Sequence, residues 1–387
     1  MKQVSTQGLT AEILEDKLPT DQQEDEGDLI GKEIFFKDAV VMNADWTIET
    51  INGQVSKGNI ELDPAFQRRA AWDRIRKSRL IESIVVGMPI PNIVLAENKK
   101  ARGKYIVIDG KQRLLSIRDF IASEFELNGL DIRPDLNGFT YTNLPDEDKQ
   151  FFDNSTIRST VIKNWSDERF LYATFYRLNS GSLPLSPQEL RRALVGNKLL
   201  EEIETYIKQS DAFHSVVSDK LDRRMRDSEL VLRFIAFDRD LLNYDGDLRN
   251  FLDKTTRYFE DDWVNRKAEA MQHFTRLDQA LNASAIVFKD SVFRKWTDTK
   301  YERVINRAVF DCMVRFFADT EIATAANNLS EKVVQAYQDI CGNPIFKASI
   351  ERTTKSIEST MTRIDLWGIK LAETLDMSYD MTSRRIK

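Results

Sequence analysis

Tyr105-Ile-Val-Ile-Asp-Gly-Lys-Gln-Arg-Leu-Leu-Ser-Ile-Arg-Asp-Phe-Ile121 decides how the first half of the chain folds. Tyr105 to Ile108 has the composition of a short buried strand, and Asp109-Gly110 is a turn dipeptide. Leu114, Leu115, Ile117, Phe120 and Ile121 then recur at helical spacing. Asp109, Lys111, Gln112 and Arg113 crowd the junction between strand and helix. The first helical turn has N–H groups without intrahelical partners, and the helix dipole favours negative charge there. Lys111 and Arg113 add to that end, which suits a phosphate group. The same charges also suit a corner fixed by an ion-pair network of Arg68, Asp109 and Arg113, and the stretch alone does not separate the two.

Upstream, Asn59-Ile-Glu-Leu-Asp-Pro64 alternates as a strand would until the proline stops it. A loop presenting Gln67, Arg68 and Arg69 follows, and Asp73 is a good N-cap for a helix carrying Ile75, Leu80, Ile81 and Ile84 inward. Neighbouring strands ending at Leu62 and Ile108 would set Gln67 and Arg68 beside Asp109–Arg113. Arg69, Arg74, Arg76, Lys77 and Arg79 complete the most basic patch in the chain, the candidate nucleic-acid surface. A solvated helix face also accounts for its helical members, but less well for the two adjacent loop arginines, Arg68 and Arg69. Met88 to Ala96 turns into a second strand, Ser155 to Lys163 reads as a strand completing the sheet, and Phe125 to Tyr141 reads as a hairpin. Before them, Ile34 to Val41 is a strand or a docking segment, and Trp46, Ile48 and Ile51 share a helical face that Gly53 closes.

From Asp167 the apolar period becomes helical. Ser186, Pro187 and Glu189 make a strong helix start, and amphipathic helices are expected over Asp227–Leu242, Arg266–Leu281, Lys300–Phe317, Ser330–Ile340 and Ile345–Leu371. The expected fold is α+β. An acidic disordered tail over 1–30 precedes a small mixed sheet with helices over 31–165, and an all-helical domain follows over 166–387.

With 387 residues, 42% hydrophobic and 30% charged, the chain is an ordinary globular protein. A net charge of -6 leaves any basic surface local. Cys312 and Cys341 cannot build a zinc site alone, and His214 and His273 lack companion motifs, which weighs against a His-dependent nuclease centre. The N-terminus has no apolar signal core, and the most apolar run, Leu80 to Ala96, is broken by Glu82, Pro89 and Pro91. A cytoplasmic protein without membrane spans is expected.

Three blocks in order resemble the domain of unknown function 262 family, the N-terminal domain of GmrSD-type type IV restriction proteins within the ParB/sulfiredoxin-like superfamily. They are Leu62-Asp-Pro-Ala-Phe-Gln-Arg-Arg-Ala-Ala-Trp72, Val107-Ile-Asp-Gly-Lys-Gln-Arg113, and Phe175 through Arg192. The resemblance implies a ParB/sulfiredoxin-like domain that binds and often hydrolyses a nucleoside triphosphate in DNA restriction and anti-phage defence; on physical grounds, Asp109 would hold a Mg2+ ion or orient water there. By position, Asp109, Gln112 and Arg113 would serve catalysis, Gln67, Arg68, Gly110 and Lys111 nucleotide binding, and Asp109 the metal. Lys111 replaces the first glutamine of the family's Asp-Gly-Gln-Gln-Arg signature; it can contact phosphate but cannot accept a hydrogen bond. No His-Asn-His-type nuclease motif is present. Two functions follow: an NTPase whose turnover gates a DNA-directed activity, or a non-catalytic nucleotide- or DNA-sensing subunit with a separate nuclease partner.

Overall fold

The computed structural model describes residues 39–62, 72–99, 101–178, 187–218, 222 and 225–387. The expected acidic tail lies outside them. The chain divides into two compact units, one ending at Leu194 and one spanning Val195–Lys387.

The first unit is built on a five-stranded mixed sheet of β1 (Val40–Thr47), β2 (Ile60–Glu61), β3 (Ile93–Glu97), β4 (Tyr105–Asp109) and β5 (Thr156–Lys163). The strand order is β1-β5-β3-β4-β2. β1–β5 and β3–β4 are antiparallel, whereas β5–β3 and β4–β2 are parallel. Ile93-Val-Leu-Ala96 and Ile106-Val-Ile108 are unbroken apolar runs because this sheet is covered on both faces. Ile93, Leu95 and Val107 enter the core made by α1 (Ile48–Ser56), α2 (Arg74–Val85), α3 (Lys111–Ile121) and α4 (Asp146–Asn154). Val94, Ala96, Ile106 and Ile108 face Leu171, Tyr172 and Phe175 of α5 (Glu168–Leu178).

That second core moves the domain boundary. The change of period at Asp167 marks a helix that still packs on the sheet, and so does α6 (Pro187–Leu194), which lies on β4. The sheet unit therefore continues to Leu194 rather than stopping at 165. Trp46 lies in β1, not in the helix, because the Thr47 side chain caps α1 by accepting from the Thr50 N–H at 3.1 Å. The helix then runs past Gly53 to Ser56.

Phe125 to Tyr141 forms turns and a short 3-10 segment instead of a hairpin. Its anchor is Glu82, which is 4% exposed. The Glu82 carboxylate accepts the backbone N–H groups of Asp131, Ile132 and Arg133 at 3.3, 2.7 and 2.7 Å. The glutamate that interrupts the apolar run of the sequence is thus a buried clamp for this loop, fully supplied with donors.

The second unit is helical: α7 (Lys198–Gln209), α8 (Asp211–Val216), α9 (Arg226–Asp240), α10 (Leu248–Asp261), α11 (Trp263–Phe288), α12 (Arg307–Phe317), α13 (Thr320–Asn328), α14 (Ser330–Cys341), α15 (Pro344–Glu351) and α16 (Ile357–Leu375), closed by the small hairpin β6 (Tyr379–Asp380) and β7 (Arg385–Ile386). No helix among the described residues is long and apolar enough to cross a membrane. Two expected helices are shorter than their apolar patterns. Lys300 to Asn306 stays out of α12, with Tyr301 bridged to Trp296 and the Asn306 side chain capping Val309 N–H at 3.0 Å. Ile345–Leu371 is split because the Thr354 carbonyl accepts from Arg363 Nη1 at 2.6 Å and the Lys355 carbonyl accepts from the Tyr244 hydroxyl. Those carbonyls are withdrawn from a helical ladder, and Ser356 restarts the helix as N-cap.

Inside this unit lies a buried ionic cluster. Glu229 and Arg233, four residues apart, are 3.8 Å apart and almost fully buried. Asp311 binds Arg233 and, at 3.2 Å, Arg363, while Arg307 lies 3.7 Å from Glu229. Burial acts against the Arg233 charge, but the attraction and hydrogen bond of Asp311 outweigh it and raise its pKa. His273 is also internal, bonded to Asp238 at 2.9 Å.

Candidate functional site

The strand-turn-helix corner stands where β4 leaves the sheet. Leu95 faces Val107 but Val94 faces Asp109, so Ile108 is an extra residue on β4. Such a bulge bends the strand end and re-aims the residue after it, here Asp109. Gly110 follows with φ 92°. A Cβ there would stand 2.5 Å from Ile93 Cγ2 and 3.1 Å from Arg113 Nη2. Only glycine meets both demands.

Gly110 is also the N-cap of α3 and offers no side chain to the first turn. By contrast, α1 and α2 are capped by the side chains of Thr47 and Asp73. Lys111 opens α3 at this end. Arg113 Nη2 donates to Asp109 Oδ2 at 2.7 Å and to the Asn92 carbonyl at 2.8 Å. Its side chain is 9% exposed, and that of Asp109 is 25% exposed. Arg113 Nε is buried without a hydrogen-bond partner among the described residues. Gln112 Oε1 accepts the Trp72 backbone N–H at 3.0 Å. Asp109, Gly110, Lys111, Gln112 and Arg113 are therefore together, with Arg113 an internal brace of the turn and Gln112 a tether for the chain entering α2.

Gln67, Arg68 and Arg69 lie outside the described residues. The described residues flanking that segment adjoin the corner: β2, just before Leu62, pairs parallel with β4, and Trp72 is held by Gln112. The neighbouring of the two strands is as the sequence suggested.

Among the other basic residues, Arg74, Arg76 and Arg79 are exposed on α2. Arg76 lies 3.8 Å from Asp73, and Arg79 pairs with Asp131 at 2.9 Å. Lys77 points inward, pairing with the buried Asp119 at 2.7 Å and lying over the Phe125 ring. The structure therefore separates Lys77 from the exposed basic side chains of its helix. Arg191 and Arg192 of α6 are both buried. Sequence reasoning passed over Asn92 and Glu82; only the break Glu82 makes in an apolar run signalled it.

Among the described residues there is no group of three or more His, Cys, Asp or Glu side chains suited to a metal. A divalent ion at Asp109 fits this donor set only if phosphate oxygens supply most of its ligands, which is how Mg2+ is commonly held with nucleotides. Chemically, the corner offers an uncapped helix start, a lysine, a buried guanidinium edge and one partly exposed carboxylate.

Searches of curated proteins and of solved structures returned no match. Residues 48–196 match the family model described as GmrSD restriction endonuclease, N-terminal domain.

Proposed function

We propose that this protein acts in DNA restriction and anti-phage defence, and that its sheet-bearing domain binds a nucleoside triphosphate at the Asp109–Arg113 corner to control a DNA-directed activity. The family of residues 48–196 supports the restriction setting. The observation that carries the nucleotide site is the uncapped start of α3 beside Arg113, whose Nε is buried and unpartnered among the described residues. A phosphate there would satisfy helix N–H groups and gain from the dipole. Lys111 would add a point charge, and Asp109 would face a Mg2+ ion brought in on the phosphates. That ion would neutralise phosphate charge when bound.

Binding is favoured over hydrolysis by one further feature. Gln112, the residue in the family's place for a catalytic amide, already spends its oxygen on Trp72. The expected result is tight nucleotide binding with slow or absent phosphate release, DNA cleavage being left to a nuclease partner. Equilibrium binding of each labelled NTP with Mg2+ tests this. Lys111→Ala is expected to weaken affinity about tenfold, the worth of one charge-assisted phosphate contact. Failure of the wild type to bind any NTP would remove the nucleotide site, and rapid turnover would restore the NTPase.

For DNA, the exposed arginines of α2 are the proposed contacts. Arg74→Ala and Arg76→Ala should each reduce the slope of log affinity against log salt by about 1, whereas Lys77→Ala should leave it unchanged. A slope insensitive to both arginines would exclude this helix from the DNA surface.

A further inference from the structure

The helical unit contains a second charged cavity that neither the corner nor the family accounts for. It has a volume of about 400 Å³ and is lined by Asp238, Arg276, Arg315, Phe316, Asp319, Ile322, Arg385 and Ile386. Its walls come from α9, α11, α12, the start of α13 and β7. Asp238 is the hub. Its carboxylate accepts from Arg276 Nε and Nη2, both at 2.9 Å, and from Arg385 Nη2 at 3.0 Å, and it bonds His273 Nδ1 at 2.9 Å. Burial acts against that charge, but His273, Arg276 and Arg385 hold the carboxyl well below the usual range, so it stays ionised.

Arg315 is treated differently. Its three bonded nitrogens donate only to carbonyls: Nε to Arg384 at 3.0 Å, Nη1 to Phe237 at 3.2 Å and Nη2 to Ser383 at 3.1 Å. Burial, with the charge of Arg385 beside it, pulls its pKa down to about 9. Asp319 is occupied as the N-cap of α13, accepting from Glu321 and Ile322 N–H groups. Nearby Arg384 is neutralised separately by Asp365 at 3.0 Å. The lining thus carries three guanidinium groups against two carboxylates, and both carboxylates are already engaged.

We propose that this cavity is a binding site for a small phosphate ester, its phosphate held by Arg276, Arg315 and Arg385 and its organic part lying on Phe316, Ile322 and Ile386. Guanidinium groups present paired donors that match phosphate oxygens; Arg276 and Arg385 share the one Asp238 carboxylate and Arg315 bonds only carbonyls, so the three groups carry more N–H donors than these bonds use. The space falls within the range of small-molecule sites, and its apolar wall favours an ester over the bare ion. Bound there, the ligand would join β7 to three helices and fasten the closing hairpin, a natural point for control of the helical unit by a metabolite.

The 387-residue chain serves for the test. Calorimetric titration with a nucleoside monophosphate and with inorganic phosphate should show the ester binding more tightly. Arg276→Gln and Arg385→Gln should each weaken it about tenfold. To separate this cavity from the corner, and to allow for variants that fail to fold, arginine modification by phenylglyoxal is followed by mass spectrometry on the wild type. The ester should slow modification of Arg276 and Arg385 severalfold; their exposures of 36% and 31% make them accessible without it. Absent protection at both arginines would overturn the proposal, as would affinities unchanged in both folded variants. Equal affinity for inorganic phosphate would overturn the ester assignment.

Discussion

A Gly110→Ala protein is expected to lose about 3 kcal/mol of stability in its sheet unit, from left-handed strain and overpacking together. Two independent costs meet at this residue. Its φ of 92° is unfavourable for any side chain. The added methyl would also stand 2.5 Å from Ile93 Cγ2 and 3.0 Å from Ile93 Cβ, on a residue with no exposure. Ile93 cannot retreat, since β3 is paired on both edges by β4 and β5. The cost must therefore appear as a shifted turn or a lower melting temperature, by roughly 6–12 °C for a domain of this size. Denaturant unfolding of wild type and variant measures it. A loss below about 0.5 kcal/mol would mean the turn is not built as described.

Asp311→Ala should be costlier. Asp311 is 3% exposed and bridges Arg233 and Arg363, so its removal leaves the buried Arg233 with Glu229, which already serves Arg307, and deprives the buried Arg363 of this carboxylate. Breaking a buried pair by deleting one partner costs about 3–5 kcal/mol. Asp311→Asn keeps the shape but not the charge and should recover only a small part. The contrast matters: if the cluster served by shape alone, the asparagine protein would unfold almost with the wild type. Unfolding followed by far-UV circular dichroism reads this out, because the cluster lies wholly within the helical unit. A change under about 1 kcal/mol for Asp311→Ala would show that water reaches these charges.

Much of this architecture is legible in the sequence because it rests on period and punctuation. The strand at Tyr105–Asp109, the turn at Gly110 and the helix after it are local, and each residue there favours the same outcome. Asp73 as a cap is local too. What eluded the sequence depends on partners far along the chain. Lys77 has the spacing of a surface residue, yet Asp119, 42 residues away, draws it inward. Glu82 looks like a blemish in an apolar run until the loop at Asp131–Arg133 supplies its donors. The break between α15 and α16 is set by Tyr244 and Arg363 pulling on two carbonyls, which no apolar period records. At the candidate site, the gathering of Asp109 to Arg113 followed from adjacency. The engagement of Gln112 with Trp72 did not, because it needs the path of the chain between β2 and α2.

The alternation along β3 has a consequence for how the corner behaves in time. Ile93 and Leu95 belong to one core, Val94 and Ala96 to the other. Neither layer can loosen without exposing residues of the same strand to water, so the amide protons of β3 and β4 should exchange with solvent only when the whole unit opens. Asp109 and Gly110 stand at the end of that slowest-opening strand. A ligand captured there meets a frame already fixed, and little of its binding energy is consumed in ordering the protein around it.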